Sequence, residues 1–143
     1  MDSFLPVFKA ISVVFAILAT YTGFQGIVDP VGFSKFFGLP LGTNPSRIQS
    51  RSDDTAQHGL AKSYVSLMSV RQLGTGIILL IFSFQRKWME VATILAVIGL
   101  LVAGTDGVYI ARGGTWAAGA FHAIPGALIA LTAWIVVRNG AAV

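Results

Sequence analysis

The stretch VIGLLVAGTDGVYIARGG, residues 97–114, decides how this chain is read. It has the apolar content of a membrane-spanning helix, yet Asp106 stands inside it with apolar or small residues for a turn on either side. A carboxylate at that depth is costly and marks a candidate functional site, with partners to be found elsewhere in the bundle.

The rest of the chain agrees with a membrane setting. Of 143 residues, 55% are hydrophobic and only 11% are charged, whereas a soluble domain carries about 25% charged residues. The expected class is all-α, a single integral membrane domain spanning residues 1–143, built as a four-helix transmembrane bundle. Ten Lys and Arg residues give a net charge of +4, but they are scattered. They do not form the basic patch with interleaved aromatics that a nucleic acid requires. Basic side chains at helix ends suit anchoring at a lipid bilayer. The absence of cysteine excludes disulfides and thiolate metal sites. Two histidines, His58 and His122, are too few for a histidine-built metal site, so no metal and no cofactor are expected.

A helix needs about 20 apolar residues to cross about 30 Å of hydrocarbon. Four segments qualify, at approximately 6–28, 60–84, 88–111 and 117–137. The first exceeds a signal-peptide apolar region and has no small-residue cleavage site after it, so it reads as a retained helix. Residues 85–87 make a tight hairpin between the second and third segments, and Gly113-Gly114 suits a sharp turn between the third and fourth. The first connection, 29–59, reads as one long loop. Its opening, with Phe33, Phe36, Phe37 and Leu39 around Lys35, suits a short amphipathic piece at the membrane surface or over the bundle. Its remainder, NPSRIQSRSDDTAQ, reads as exposed polar loop carrying Asp53, Asp54 and His58. Charges balance on the two sides, so the positive-inside rule assigns no orientation.

A rise of about 1.5 Å per residue places Asp106, His122 and Arg71 at related depths on the side of the long loop. Asp29 ends the first helix on that same side. Up-and-down order is expected to gather Arg71, Asp106 and His122 as a catalytic trio, lined by Tyr64, Gln72, Tyr109 and Asp29 as substrate-binding residues. Tyr64, Met68, Arg71 and Thr75 share one helical face. Gly99, Ala103 and Gly107 form a stripe of small residues that permits close helix contact. Each site has a plainer reading beside the functional one. Arg71 with Asp106 could be an ion pair fixing helix register, His122 a satisfied interior histidine, and Asp29-Pro30 a helix-end turn.

A carboxylate, an imidazole and a guanidinium together supply a base, an acid and an electrostatic clamp. No nucleophile elbow or phosphate-binding glycine loop is present, which leaves cofactor-free acid–base chemistry on a lipophilic substrate. Asp106 as base with His122 as acid, and the reverse, both fit.

The segments GFQGIVDPVGFSKFFGLPL, VRQLGTG, AGTDGVYIARGG and FHAIPGAL resemble small four-helix membrane proteins of DoxX-like topology. They look closest to the branch found in fungal secondary-metabolite clusters. The resemblance covers nearly the whole chain through short motifs. It implies an epoxide hydrolase or cyclase acting on a lipophilic polyketide or terpenoid intermediate, in the endoplasmic reticulum if the source is eukaryotic, with Arg71, Asp106 and His122 in the pocket. The competing reading is a non-enzymatic membrane scaffold or small carrier, and a quinone-linked redox role is a third. The small-residue stripes would also suit a homo-oligomer.

Overall fold

The computed structural model describes residues 4–36, 51–113 and 115–140, with backbone only for 51–58. Helices make up nearly all of the described residues, and no strand occurs among them. In chain order they are α1 (Phe4–Val28), α2 (Pro30–Phe36), α3 (Arg51–Phe84), α4 (Trp88–Val97), a π-helical turn (Ile98–Val102), α5 (Ala103–Gly113) and α6 (Trp116–Asn139). The α4–π–α5 run counts as one continuous span, and among the described residues four spans are long and apolar enough to cross a membrane.

The connection 29–59 differs from the single long loop expected. Asp29 caps α2, its Oδ1 accepting the Gly32 N–H at 2.9 Å and its carbonyl accepting the Phe33 N–H at 3.0 Å. Pro30 follows at the first helical position, where a missing N–H costs nothing. α2 is therefore a seven-residue helix folded back on α1 and α3, too short to span. Phe33 is half-buried near Gly26, while Lys35 and Phe36 are exposed. At the other end, residues 51–59, expected as polar loop, continue α3 as helix. Arg51, Ser52 and Asp53 break no helix, and a polar helix projecting beyond the span keeps its backbone hydrogen bonds internal. Phe37 and Leu39 lie outside the described residues, as do the side chains of Asp53, Asp54 and His58.

The hairpin between α3 and α4 is closed by backbone geometry. Arg86 takes φ 59°, its N–H bonds the Ser83 carbonyl at 3.1 Å, and the Lys87 N–H bonds the Phe82 carbonyl at 2.9 Å. That pair of bonds is a Schellman cap, which stops α3 and reverses the chain. At this end Lys9 lies over the Trp88 ring at 5.1 Å and Lys87 over Phe82 at 5.7 Å. Both ammonium groups are thus held where an amphipathic side chain is stable at a membrane surface.

Two helix pairs build the bundle. α1 packs on α3, and α6 packs on α4, the π turn and α5. The pairs share a core of Phe8, Ala16, Leu79, Val91, Ala92, Leu95, Ala133 and Val136. All of these residues belong to the half of the bundle that holds the 85–87 turn. Away from it the pairs part. α5 packs on α6 and the π turn, whereas α3 packs on α1, α2 and α4.

Candidate functional site

Close backbone approach sets the geometry of the α5–α6 pair. A Cβ on Gly107 would lie 2.6 Å from the Ala123 Cβ and 3.0 Å from the Gly119 carbonyl oxygen. A Cβ on Gly119 would lie 2.7 Å from the Ala111 Cβ, and one on Gly126 would collide with the Ala103 side chain. The stripe Gly99, Ala103, Gly107 thus meets a second one, Gly119, Ala123, Gly126, Ala130, across the pair. Asp106 immediately precedes Gly107, and His122 immediately precedes Ala123. The seam therefore brings both side chains to the same rim. Both are half-buried and they interact electrostatically with each other. The His122 imidazole also meets the Phe121 ring edge-on, with centroids 5.8 Å apart and planes at 88°.

Each helix carries a local irregularity in its hydrogen bonding beside this pair. The π turn Ile98–Val102 ends four residues before Asp106, and the Thr105 hydroxyl donates back to the Leu101 carbonyl within the same region. On α6, Pro125 sits inside the helix three residues after His122 and has no N–H for the Phe121 carbonyl. Irregular backbone at membrane depth is tolerated where it is buried in protein or lines a wet cavity, and π turns concentrate at functional sites.

The expected trio is only partly assembled. The structure brings Asp106 and His122 together, but Arg71 stands exposed on α3, the helix of the other pair. The charged group that acts on Asp106 is His122. The reason is architectural. α3 is drawn to α1 by its own small-residue seam, where a Cβ on Gly23 would lie 2.7 Å from the Leu73 Cα and one on Gly26 would strike the Ser69 side chain. Among the other expected lining residues, Tyr64 and Tyr109 are exposed and Gln72 is half-buried on α3. The Asp29 carboxylate is engaged as the cap of α2. Among the described residues no group of three potential metal ligands comes together.

Helical period extends two faces of the core toward the other end of the bundle. The α3 face that sends Phe82 and Leu79 into the core continues through Thr75, Arg71, Met68 and Tyr64. The α6 face carrying Val136 and Ile129 into the same core continues through Pro125, His122 and Ala118. Both continuations are exposed or half-buried, so the packing of the 85–87 end does not extend to the other.

Residues 16–136 match one family model, described as a domain of unknown function, DUF4267. The chain belongs to the DUF4267 family. The DUF4267 region starts inside α1 and ends inside α6, so it includes both helix pairs, the π turn and the Asp106–His122 rim. No curated protein and no solved structure matches the chain. Sequence reasoning missed the π turn, which has no local signature, and the α1–α3 seam, which has one. Ala16, Ala19, Gly23 and Gly26 recur at helical spacing, all buried.

Proposed function

We propose that this DUF4267 protein is a cofactor-independent membrane enzyme in which Asp106 and His122 move protons on a lipophilic substrate, opening an epoxide by hydrolysis or cyclisation. The observation that supports this most is the meeting of a half-buried carboxylate and imidazole along the α5–α6 seam. The likeness to DoxX-like proteins of fungal secondary-metabolite clusters adds the substrate class, a polyketide or terpenoid epoxide, and an endoplasmic-reticulum location.

The chemistry closes on the pair itself. With Asp106 as carboxylate and His122 as imidazolium, Asp106 takes a proton from water or from an internal hydroxyl as its oxygen attacks the epoxide carbon. The C–O bond of the ring breaks, and His122 protonates the departing oxygen. Asp106 now holds one proton more and His122 one fewer. A proton passing from Asp106 to His122 restores the starting state. Arg71 takes no part in these transfers.

The test is turnover of a long-chain epoxide, such as methyl 9,10-epoxystearate, by detergent-purified protein without added cofactor. Asp106→Asn keeps the volume but cannot accept the proton, and is expected to reduce turnover at least ~100-fold. Parental turnover by Asp106→Asn protein with an unchanged gel-filtration profile would refute the assignment and leave the pair as structural glue.

A further inference from the structure

Arg71 is a charge inside the span Gly59–Phe84 with its side chain exposed, and the proton chemistry leaves it unused. Contacts along α3 fix its direction. Ser69, Leu73 and Gly76 meet α1 at Gly26, Gly23 and Thr20. At 3.6 residues per turn, Arg71 stands on the opposite side of α3 from that seam. Seven residues on, Ile78 shares its stripe and is 47% exposed, although the next residue, Leu79, is in the core. A stripe left uncovered where the bundle is fully packed faces the bilayer. Leu67 and Tyr64, one and two turns before Arg71 on that stripe, are exposed as well.

Depth follows from the same seam. Ser69 lies opposite Gly26, which sets the Arg71 backbone about 7 Å below the Asp29 end of α1 by helical rise. A guanidinium is expensive in hydrocarbon unless a counter-charge meets it. Of the acidic side chains described, Asp29 caps α2, Asp106 meets His122, and Glu90 belongs to the 85–87 end. Arg71 also makes α3 short for a bilayer. Its uncharged stretch, 72–85, rises about 21 Å, whereas 116–137 of α6 rises about 33 Å and hydrocarbon is about 30 Å thick.

We infer that Arg71 binds the phosphate of a phospholipid from the leaflet on the Asp29 side and draws the headgroup layer down along α3. Helical side chains lean toward the helix N-terminus, and the N-terminal end of α3 is the end nearest this surface, so the guanidinium is inclined toward the headgroups. From this depth it is within snorkelling reach of them. Its fork of N–H donors matches two phosphate oxygens. Tyr64, two turns nearer the surface, has the amphipathic ring favoured at headgroup level. The acyl chains of the same lipid lie against Leu67, Val70 and Ile78, all exposed. Local thinning is the usual response of a bilayer to a short span. None of this depends on the acid–base pair.

The test compares thermal unfolding in bilayers of dioleoyl phosphatidylcholine and of dioleoyl digalactosyldiacylglycerol, which share their chains and differ in having a phosphate. The parent should melt higher in phosphatidylcholine by about 3 °C or more. Arg71→Gln should erase most of that difference, and Arg71→Lys should keep part of it, having the charge without the fork. A second arm varies thickness through phosphatidylcholines with 14-, 18- and 22-carbon monounsaturated chains. Arg71→Leu should move the stability optimum to longer chains, whereas Arg112→Gln, at the end of its helix, should not. A parent indifferent to phosphate, a difference that survives Arg71→Gln, or an optimum unmoved by Arg71→Leu would overturn the inference. Failure of Arg71→Gln to fold in detergent would do so too, because it would show Arg71 packed on protein.

Discussion

The two ends of the bundle are made from the same helices and the same kinds of residue, yet they pack differently. At the 85–87 end, Phe8, Leu79, Val91, Ala92, Leu95 and Ala133 are essentially inaccessible and join all four spans. At the other end each pair is sealed internally by glycine and alanine, but the pairs do not seal against each other. Within lipid no hydrophobic force drives apolar helices together, so association follows close van der Waals fit. In the core that holds Leu79 and Leu95, that fit exists. Along Arg71, Thr75, His122 and Pro125, which are exposed or half-buried, the pairs do not pack on each other. Fold and site are in this sense opposite solutions on one pair of helical faces.

The largest effect should come from breaking a pair rather than from breaking the core. Gly23→Leu sets a side chain against the α3 backbone, which cannot yield, and should eliminate most folded protein in a detergent thermal-aggregation assay. Gly74→Ala on the partner helix meets nothing within 4 Å and should leave the profile unchanged or slightly improved. Equal damage from both would mean that the α1–α3 seam is not the close contact described here.

A smaller effect separates the two ends. Leu79→Ala should cost about 1–3 kcal/mol, the cavity share of such a loss, because transfer to water contributes little in a bilayer. Met68→Ala, on the same face of α3 but 55% exposed, should cost well under ~1 kcal/mol. Denaturation in mixed micelles measures both. A Met68→Ala cost matching that of Leu79→Ala would show that the second end is closed.

The smallest effect is a gain. Arg86 occupies the left-handed cap position that glycine fills without strain, so Arg86→Gly should stabilise the hairpin by about 0.5–1 kcal/mol. A loss would indicate that the Arg86 side chain contributes more through its membrane-surface contacts than its backbone costs.

Much of this was legible in the sequence. The four spans were visible as apolar runs, the hairpin as the polar residues 85–87, and the Gly99–Ala103–Gly107 stripe as spacing. The proximity of Asp106 and His122 followed from depth and side. Depth cannot say which helices are neighbours: the α1 seam at Ala16, Ala19, Gly23 and Gly26 holds α3, the helix that carries Arg71. The helical residues 51–59 were hidden by polarity, which reads as loop until a span is extended into water. Asp29 is readable both as a cap and as a site residue, and its carboxylate accepts the N–H of Gly32.

The most direct test of the central claim asks whether Asp106 and His122 act as one unit. Turnover of methyl 9,10-epoxystearate is measured for the parent, Asp106→Asn, His122→Ala and the double variant, each with a parental gel-filtration profile. Groups that pass a proton between them lose function together, so the double variant should be no slower than the worse single variant. Losses that multiply in the double variant, or near-parental turnover in either single variant, would contradict the account.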